Sequence, residues 1–175
     1  HSHAPLIAAS TAGVPFQAIH TEADLARLLG EIERKGDFGF DLETSSLNPR
    51  VAELVGIALC PGLDRSFYIP VGHRVSELPQ IPAGRALEML KPLLENARIK
   101  KIGQNLKYDW SVLMAHGLKP DGIGADTMVA SYALEPEGRH TMYMLSEKYL
   151  GYSTIKYEEL CGKGKDKIGF DLVTV

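Results

Sequence analysis

The sequence predicts an α/β fold, a mixed sheet of three antiparallel strands extended by parallel ones, with helices on both faces. Two observations carry this reading. Three short apolar runs, at residues 37–43, 54–59 and 66–71, follow one another through connections too short for a crossover helix, as antiparallel neighbours do. From Leu87 onward the apolar period lengthens to that of a helix, and helical stretches alternate with short apolar runs, which is the order of parallel pairing.

In chain order, His1-Ser2-His3 resembles an expression-tag remnant, and residues 4–18 read as an extended lead-in to one domain spanning 19–175. Thr21 reads as a helix N-cap with Asp24 three residues on. Leu25, Leu28, Leu29 and Ile32 line one face of that helix, and Gly36 closes it. The strand at 37–43 follows, then a turn-rich loop with Leu47 as its one apolar residue. Pro61-Gly62 marks the tight connection between the second and third strands. Leu87, Leu90, Leu93 and Leu94 predict a helix with Pro92 near its end. A strand at 99–103, a helix at 105–116 closed by Gly117, a strand at 123–125 and a helix at 127–134 come next. Leu145 to Leu150 predicts a short helix ending at Gly151, and Ser153 or Thr154 a cap for another running through Cys161. This is the order of a ribonuclease H-like fold.

Composition narrows the function. With 45% hydrophobic and 23% charged residues among 175, the chain has the make-up of a soluble globular domain. A net charge of −3 argues against broad coating of nucleic acid, though not against a small cleft gripping a strand end. Cys60 and Cys161 have no partner pattern, no run approaches membrane-spanning length, and no signal segment opens the chain. The chain is expected to be a cytoplasmic monomer. Gly162-Lys163-Gly164-Lys165-Asp166-Lys167 lacks phosphate-loop spacing and reads as a solvated connector. His20, His73, His116 and His140 show no metal-ligand spacing and read as isolated loop or helix-end residues.

The chemistry is concentrated in Phe38-Gly39-Phe40-Asp41-Leu42-Glu43-Thr44. On a strand, Asp41 and Glu43 point the same way, about 7 Å apart. Two acids on one buried face repel and lose hydration unless a cation sits between them, and oxygen-only ligands favour magnesium or manganese over zinc. The alternative is a strand end opening into solvent, with both acids hydrated. A second acid, Asp109, lies in Gln104-Asn105-Leu106-Lys107-Tyr108-Asp109-Trp110 at a strand-to-helix junction. The apolar stripe there is Leu106, Trp110, Leu113 and Met114, which puts Asn105 and Asp109 on its flank, at a border between core and solvent. Asp126 reads as the N-cap of the helix beginning at Thr127.

These segments carry a resemblance. Phe40-Asp41-Leu42-Glu43-Thr44 with Ala52-Glu53-Leu54-Val55-Gly56 is similar to the first exonuclease motif of bacterial DNA polymerase I. Lys101-Ile102-Gly103-Gln104-Asn105-Leu106-Lys107-Tyr108-Asp109 is similar to the second. Asp126-Thr127-Met128, Gly138-Arg139-His140, Thr154-Ile155-Lys156-Tyr157-Glu158-Glu159 and Gly162-Lys163-Gly164-Lys165 match the connecting segments in order. The chain thus resembles, over roughly residues 37–170, the 3′–5′ proofreading exonuclease domain of family A polymerases, the four-acid class with a tyrosine in the last motif.

The resemblance implies two-metal hydrolysis of 3′-terminal nucleotides from single-stranded DNA, beside a polymerase domain in the parent chain. It implies that Asp41 bridges two Mg²⁺ or Mn²⁺ ions, that Glu43 binds the ion carrying the attacking water, and that Asp109 holds the second. It further implies that Leu47 wedges against the terminal bases, and that Thr44, Gln104, Asn105, Tyr108, Arg139 and Tyr157 contact the strand, stacking being tolerant of sequence. One departure stands out: no Tyr-x-x-x-Asp occurs, so the sequence reads as stopping before the family's last motif, and the polypeptide is expected to be poorly active. A ribonuclease D-like RNA exonuclease would carry the same acids, and a silent structural domain of a polymerase is the alternative from another class.

Overall fold

Six strands form one sheet in the computed structural model, which describes residues 16–175. They are β1 (Phe16–Ala18), β2 (Asp37–Thr44), β3 (Leu54–Cys60), β4 (Ser66–Pro70), β5 (Lys100–Gly103) and β6 (Ile123–Asp126). The tag-like residues and the lead-in through residue 15 lie outside the described residues. The sheet order is β1-β4-β3-β2-β5-β6. The β2, β3 and β4 pairings are antiparallel and the β2–β5 and β5–β6 pairings parallel, as the connection lengths predict. The last three residues of the lead-in are the addition: they pair parallel with β4, Phe16 opposite Ser66. So short a strand has no periodicity of its own to announce it; only an open edge on β4 makes it one.

The helices are α1 (Glu22–Lys35), α2 (Ala83–Leu94), α3 (Leu106–Ala115), α4 (Thr127–Leu134), α5 (Met142–Leu150) and α6 (Tyr157–Cys161), with 3₁₀ turns at Gly164–Asp166 and Phe170–Leu172. Thr21 caps α1 by accepting the Asp24 N–H, and Gly36 ends it at φ 85°, a left-handed conformation glycine takes without steric cost. Helix α5 starts three residues before the apolar run at Leu145, because Thr141 caps it. Neither Ser153 nor Thr154 caps α6; Lys156 holds that position without a side-chain bond. Among the described residues, no helix is long and apolar enough to cross a membrane.

Alternation along the strands divides the sheet. Phe38, Phe40 and Leu42 of β2 and Ile57 and Leu59 of β3 are buried in one cluster with Leu25, Leu28 and Ile32 of α1, Leu87 and Leu90 of α2, and Leu106, Val112 and Leu113 of α3. Each such side chain contributes roughly 1.5–3 kcal/mol by leaving water. Lys101 is buried on the same side and is satisfied there: its Nζ donates to the carbonyls of Asn96 and Ile99, both at 2.9 Å. Burial pulls its ammonium down to about 8.

Asp126 joins two helix starts. Its Oδ1 accepts from the N–H groups of Met128 and Val129 at the head of α4. The same carboxylate accepts from Asn105 at 3.1 Å and from Leu106 at 2.8 Å, at the head of α3. The predicted cap is therefore a double one, and the second half of it sets where α3 begins. Asp126→Ala is expected to lose about 3 kcal/mol and lower the unfolding midpoint by roughly 6–12 °C, with Asp126→Asn intermediate, by thermal denaturation. A loss no greater than a single cap costs would show that the α3 half carries no weight.

Candidate active site

The face of the sheet opposite the main core holds Gly39, Asp41 and Glu43 of β2. Cross-strand register sets Asp41 beside Ala58 and Ala58 beside Tyr68, and sets Glu43 beside Gly56. The floor under the two acids is thus made of a glycine and an alanine, with the Tyr68 ring leaning over it. A Cβ on Gly56 would stand 1.8 Å from the Tyr68 hydroxyl oxygen, so only glycine admits that ring. The register shifts between Glu43 and Thr44, where β2 turns into the Leu47 loop.

Asp109 joins them from α3. Strand β5 pairs with β2 only from Asp37 to Gly39. Beyond that point Leu42 has no strand neighbour on this side, and its N–H donates instead to Asp109 Oδ1 at 3.1 Å. The turn that brings Asp109 there passes through Asn105, at φ 59° the single non-glycine residue in the left-handed region among those described. This corrects the expected border position. Asp109 is 2% exposed, on a buried face with Leu106, Val112 and Leu113, whereas Met114 is 56% exposed. The helix is rotated because the free Leu42 N–H rewards a carboxylate pointing inward, which an apolar count along the helix leaves out.

The other expected contact residues divide into groups. The Thr44 and Tyr108 hydroxyls bond each other, and Tyr108 also donates to the Ser46 carbonyl, so both brace the loop that holds Leu47 out at 95% exposure. Both ends of the Gln104 amide are engaged: Nε2 donates to the His140 carbonyl at 2.7 Å, and Oε1 accepts from Thr127. Tyr157 is half exposed, stacked on Phe170 with centroids 6.4 Å apart. A hydrogen bond with Cys161, then burial and the charges of Glu43 and Asp171, raise its hydroxyl. Arg139 lies on the loop between α4 and α5, lining a recess with Glu135, Glu147 and Lys148. No hydrogen bond or ion pair among the described residues joins it to the three acids.

Two histidines read as isolated loop residues are buried and bonded. His140 bonds Ser131 Oγ through Nδ1 at 2.8 Å. His73 bonds the Tyr68 hydroxyl and the Val173 carbonyl. Tyr68 could have been suspected from its phase on β4, which is that of the acid face. His73 could not, since its partner is a hundred residues away.

The three acids form one electrostatic unit. Burial pushes Asp41 up to about 6, opposed by a backbone hydrogen bond from Leu42. Burial and then the charge of Asp41 push Glu43 up to about 7, and the same two causes in the same order push Asp109 up to about 7. Among the described residues, no ion pair involves any of the three. Nor do three His, Cys, Asp or Glu side chains there converge closely enough, as they stand, to enclose a metal ion. The donor set nonetheless fits a hard divalent cation: carboxylate oxygens only, mutually repelling and without a counter-charge.

A family model described as 3′–5′ exonuclease matches residues 16–172. DNA polymerase I of Pseudomonas aeruginosa is 35% identical over 169 residues, which is 94% of this chain and 18% of that protein. DNA polymerase I of Synechocystis is 39% identical over 163 residues, 89% of this chain and 16% of that protein. The chain therefore spans less than a fifth of the curated relatives it matches. The catalytic core of RRP6 from Trypanosoma brucei superposes with a TM-score of 0.66 at 12% identity, over 86% of this chain and 39% of that one, and shares the fold.

The raised acids have a consequence for the metal-free protein. Unfolded carboxylates release their protons near pH 4, while these three hold theirs to about 6 or 7. Between those values the folded state binds more protons than the unfolded one, so stability falls as pH rises from about 4 to about 7 and then levels off. Asp109→Asn keeps an acceptor for Leu42 and removes a charge. It is expected to raise the metal-free unfolding midpoint by roughly 4–8 °C at pH 8, on the order of 2 kcal/mol, and to change it little at pH 4. Equal midpoints for parent and variant at pH 8 would mean that Asp109 carries no buried charge there.

Proposed function

The chain belongs to the 3′–5′ exonuclease family found in DNA polymerase I, and on that premise we propose that it removes nucleotides from the 3′ end of single-stranded DNA as a proofreading domain. The observation that carries the reading is the electrostatic coupling of Asp41, Glu43 and Asp109, buried together on a strand and on a helix that is distant in sequence, with no counter-charge.

Asp41, with Glu43 and Asp109 on either side of it electrostatically, would hold two Mg²⁺ or Mn²⁺ ions, which supply water activation and neutralise charge on the leaving oxygen. The chain's own residues do the rest. The Leu42–Asp109 bond holds the helix acid against the strand acids. The Thr44–Tyr108–Ser46 bonds set the direction in which Leu47 projects, so that it can press on the terminal base. Thr44 and Tyr108 act on the strand end through that loop. Tyr157, half exposed beside Phe170 and with the Lys167 ammonium over its ring, would meet a base of the strand. Asn105 lies at the start of the helix that carries Asp109, and Gln104 ties that start to the loop bearing Arg139, which would reach the strand's phosphates. A polymerase domain in the parent protein would deliver the strand end.

The test is digestion of a 5′-labelled single-stranded DNA oligomer with Mn²⁺, beside Asp41→Ala. A slow ladder shortening from the 3′ end is expected, since no Tyr-x-x-x-Asp is present, with the variant below about 1% of the unsubstituted rate. An identical ladder in the variant would sink the assignment. Preferential digestion of an RNA oligomer would move it to the RNA exonucleases.

A further inference from the structure

Gly162-Lys163-Gly164-Lys165-Asp166-Lys167 reads in the sequence as a solvated connector, yet its lysines are held in different ways. Lys163 pairs with Glu158 at 2.7 Å. Lys167 turns back instead, and its ammonium lies over the Tyr157 ring, 5.1 Å from the centroid. Lys156, the residue before Tyr157, repeats the arrangement, with its ammonium over the Tyr143 ring at 4.4 Å. Glu158 lies within electrostatic reach of both, so the two ammoniums flank α6 together.

These cations stand beside the acids. The 3₁₀ turn Phe170–Leu172 packs against both α6 and β2, the strand of Asp41 and Glu43. Arg74 fixes that turn, pairing with the Asp171 carboxylate at 2.9 Å and donating its N–H to the Asp171 carbonyl at 2.7 Å. The Tyr157 ring stacks on Phe170 of the same turn, and its hydroxyl feels the charge of Glu43. Tyr143 belongs to the first turn of α5, four residues after Arg139.

A strand that enters this cleft carries a negative charge at every phosphate past three carboxylates, on a chain of net charge −3. Ions held by the acids would neutralise charge at the scissile phosphate alone, and the phosphates behind it need cations of the protein. An ammonium in an ion pair has to give up its partner to serve, and Lys163 is so held. An ammonium over a ring keeps its charge while the negative face of the ring fixes its place.

We propose that Lys156 and Lys167 form a phosphate lane for the single strand behind its 3′-terminal nucleotide, with Tyr143 and Tyr157 as the rings that hold the two ammoniums in place. Each phosphate engaged releases its condensed counterions, so the lane adds salt-sensitive affinity and no sequence preference. It acts on binding and leaves the hydrolysis to the acids. This rests on the exonuclease reading above and adds to it two residues that grip the strand's backbone. Lys163, an equal charge four residues from Lys167, has no part in it.

The test is the salt dependence of strand binding, read by fluorescence anisotropy of a 5′-labelled oligothymidylate with the metal-free protein. Lys156→Gln and Lys167→Gln are each expected to make the slope of log Kd against log[NaCl] shallower by about 0.7, and the double variant by about 1.4, while Lys163→Gln keeps the unsubstituted slope. All three side chains are exposed, and the unfolding midpoints are expected to stay where they are. In digestion with Mn²⁺, the double variant is expected to raise KM at unchanged kcat, the mark of binding shared by ground and transition states. An unchanged slope in the double variant overturns the proposal. So does Lys163→Gln shifting the slope as much as Lys167→Gln, since any surface charge would then serve, and so does a fall in kcat at unchanged KM. If the unsubstituted chain gives no 3′ ladder, the exonuclease reading fails and this proposal with it. An active chain whose double variant keeps the slope removes the proposal alone.

Discussion

The N–H of Leu42 has no strand to bond, and that vacancy organises the active face. Parallel β5 leaves β2 after Gly39, so the next outward N–H on that edge must find another acceptor or be buried without one. Asp109 supplies it from the first turns of α3. One hydrogen bond thus closes an edge of the sheet, sets the rotation of a helix and delivers a third carboxylate to a strand that already carries two. The bond favours the arrangement while the charges oppose it, and a bound divalent cation would relieve that opposition.

Placing α3 needs a second device. A chain leaving a strand for a helix within two residues must turn sharply, and Asn105 does so in a left-handed conformation that costs most residues about 1–2 kcal/mol. Asp126 offsets that cost by accepting the first N–H groups of α3 as well as those of α4. The acid at the end of β6 is in this sense a scaffold residue of the site, though it contributes no ligand to it. On the far side of the acids, Gly56, Tyr68, His73 and the 170–173 segment make a wall joined by the hydrogen bonds of His73 to the Tyr68 hydroxyl and the Val173 carbonyl.

Much of this was legible from local pattern. The alternation of Phe38, Phe40 and Leu42 against Asp41 and Glu43 announced a strand with an acidic face, and Thr21, Gly36 and Asp126 announced their caps. The antiparallel and parallel halves of the sheet followed from connection length. What stayed hidden depended on distant partners. Phe16–Ala18 is a strand because β4 has a free edge. Asp109 faces inward because Leu42 lacks a neighbour, and the hydroxyls of Thr44 and Tyr108 meet each other before they meet any ligand. His73 is buried because Val173, far along the chain, comes to rest on it.

The sequence by itself determined the kinds of element, their order, and the presence of three carboxylates in motifs of a nuclease, because periodicity, capping and motif spacing act over a few residues. Only the tertiary structure decided which groups face one another, which way α3 is rolled, and how far burial raises each acid. Those depend on where backbone donors are left unpaired and on how closely like charges are packed, and neither quantity exists until the chain has folded.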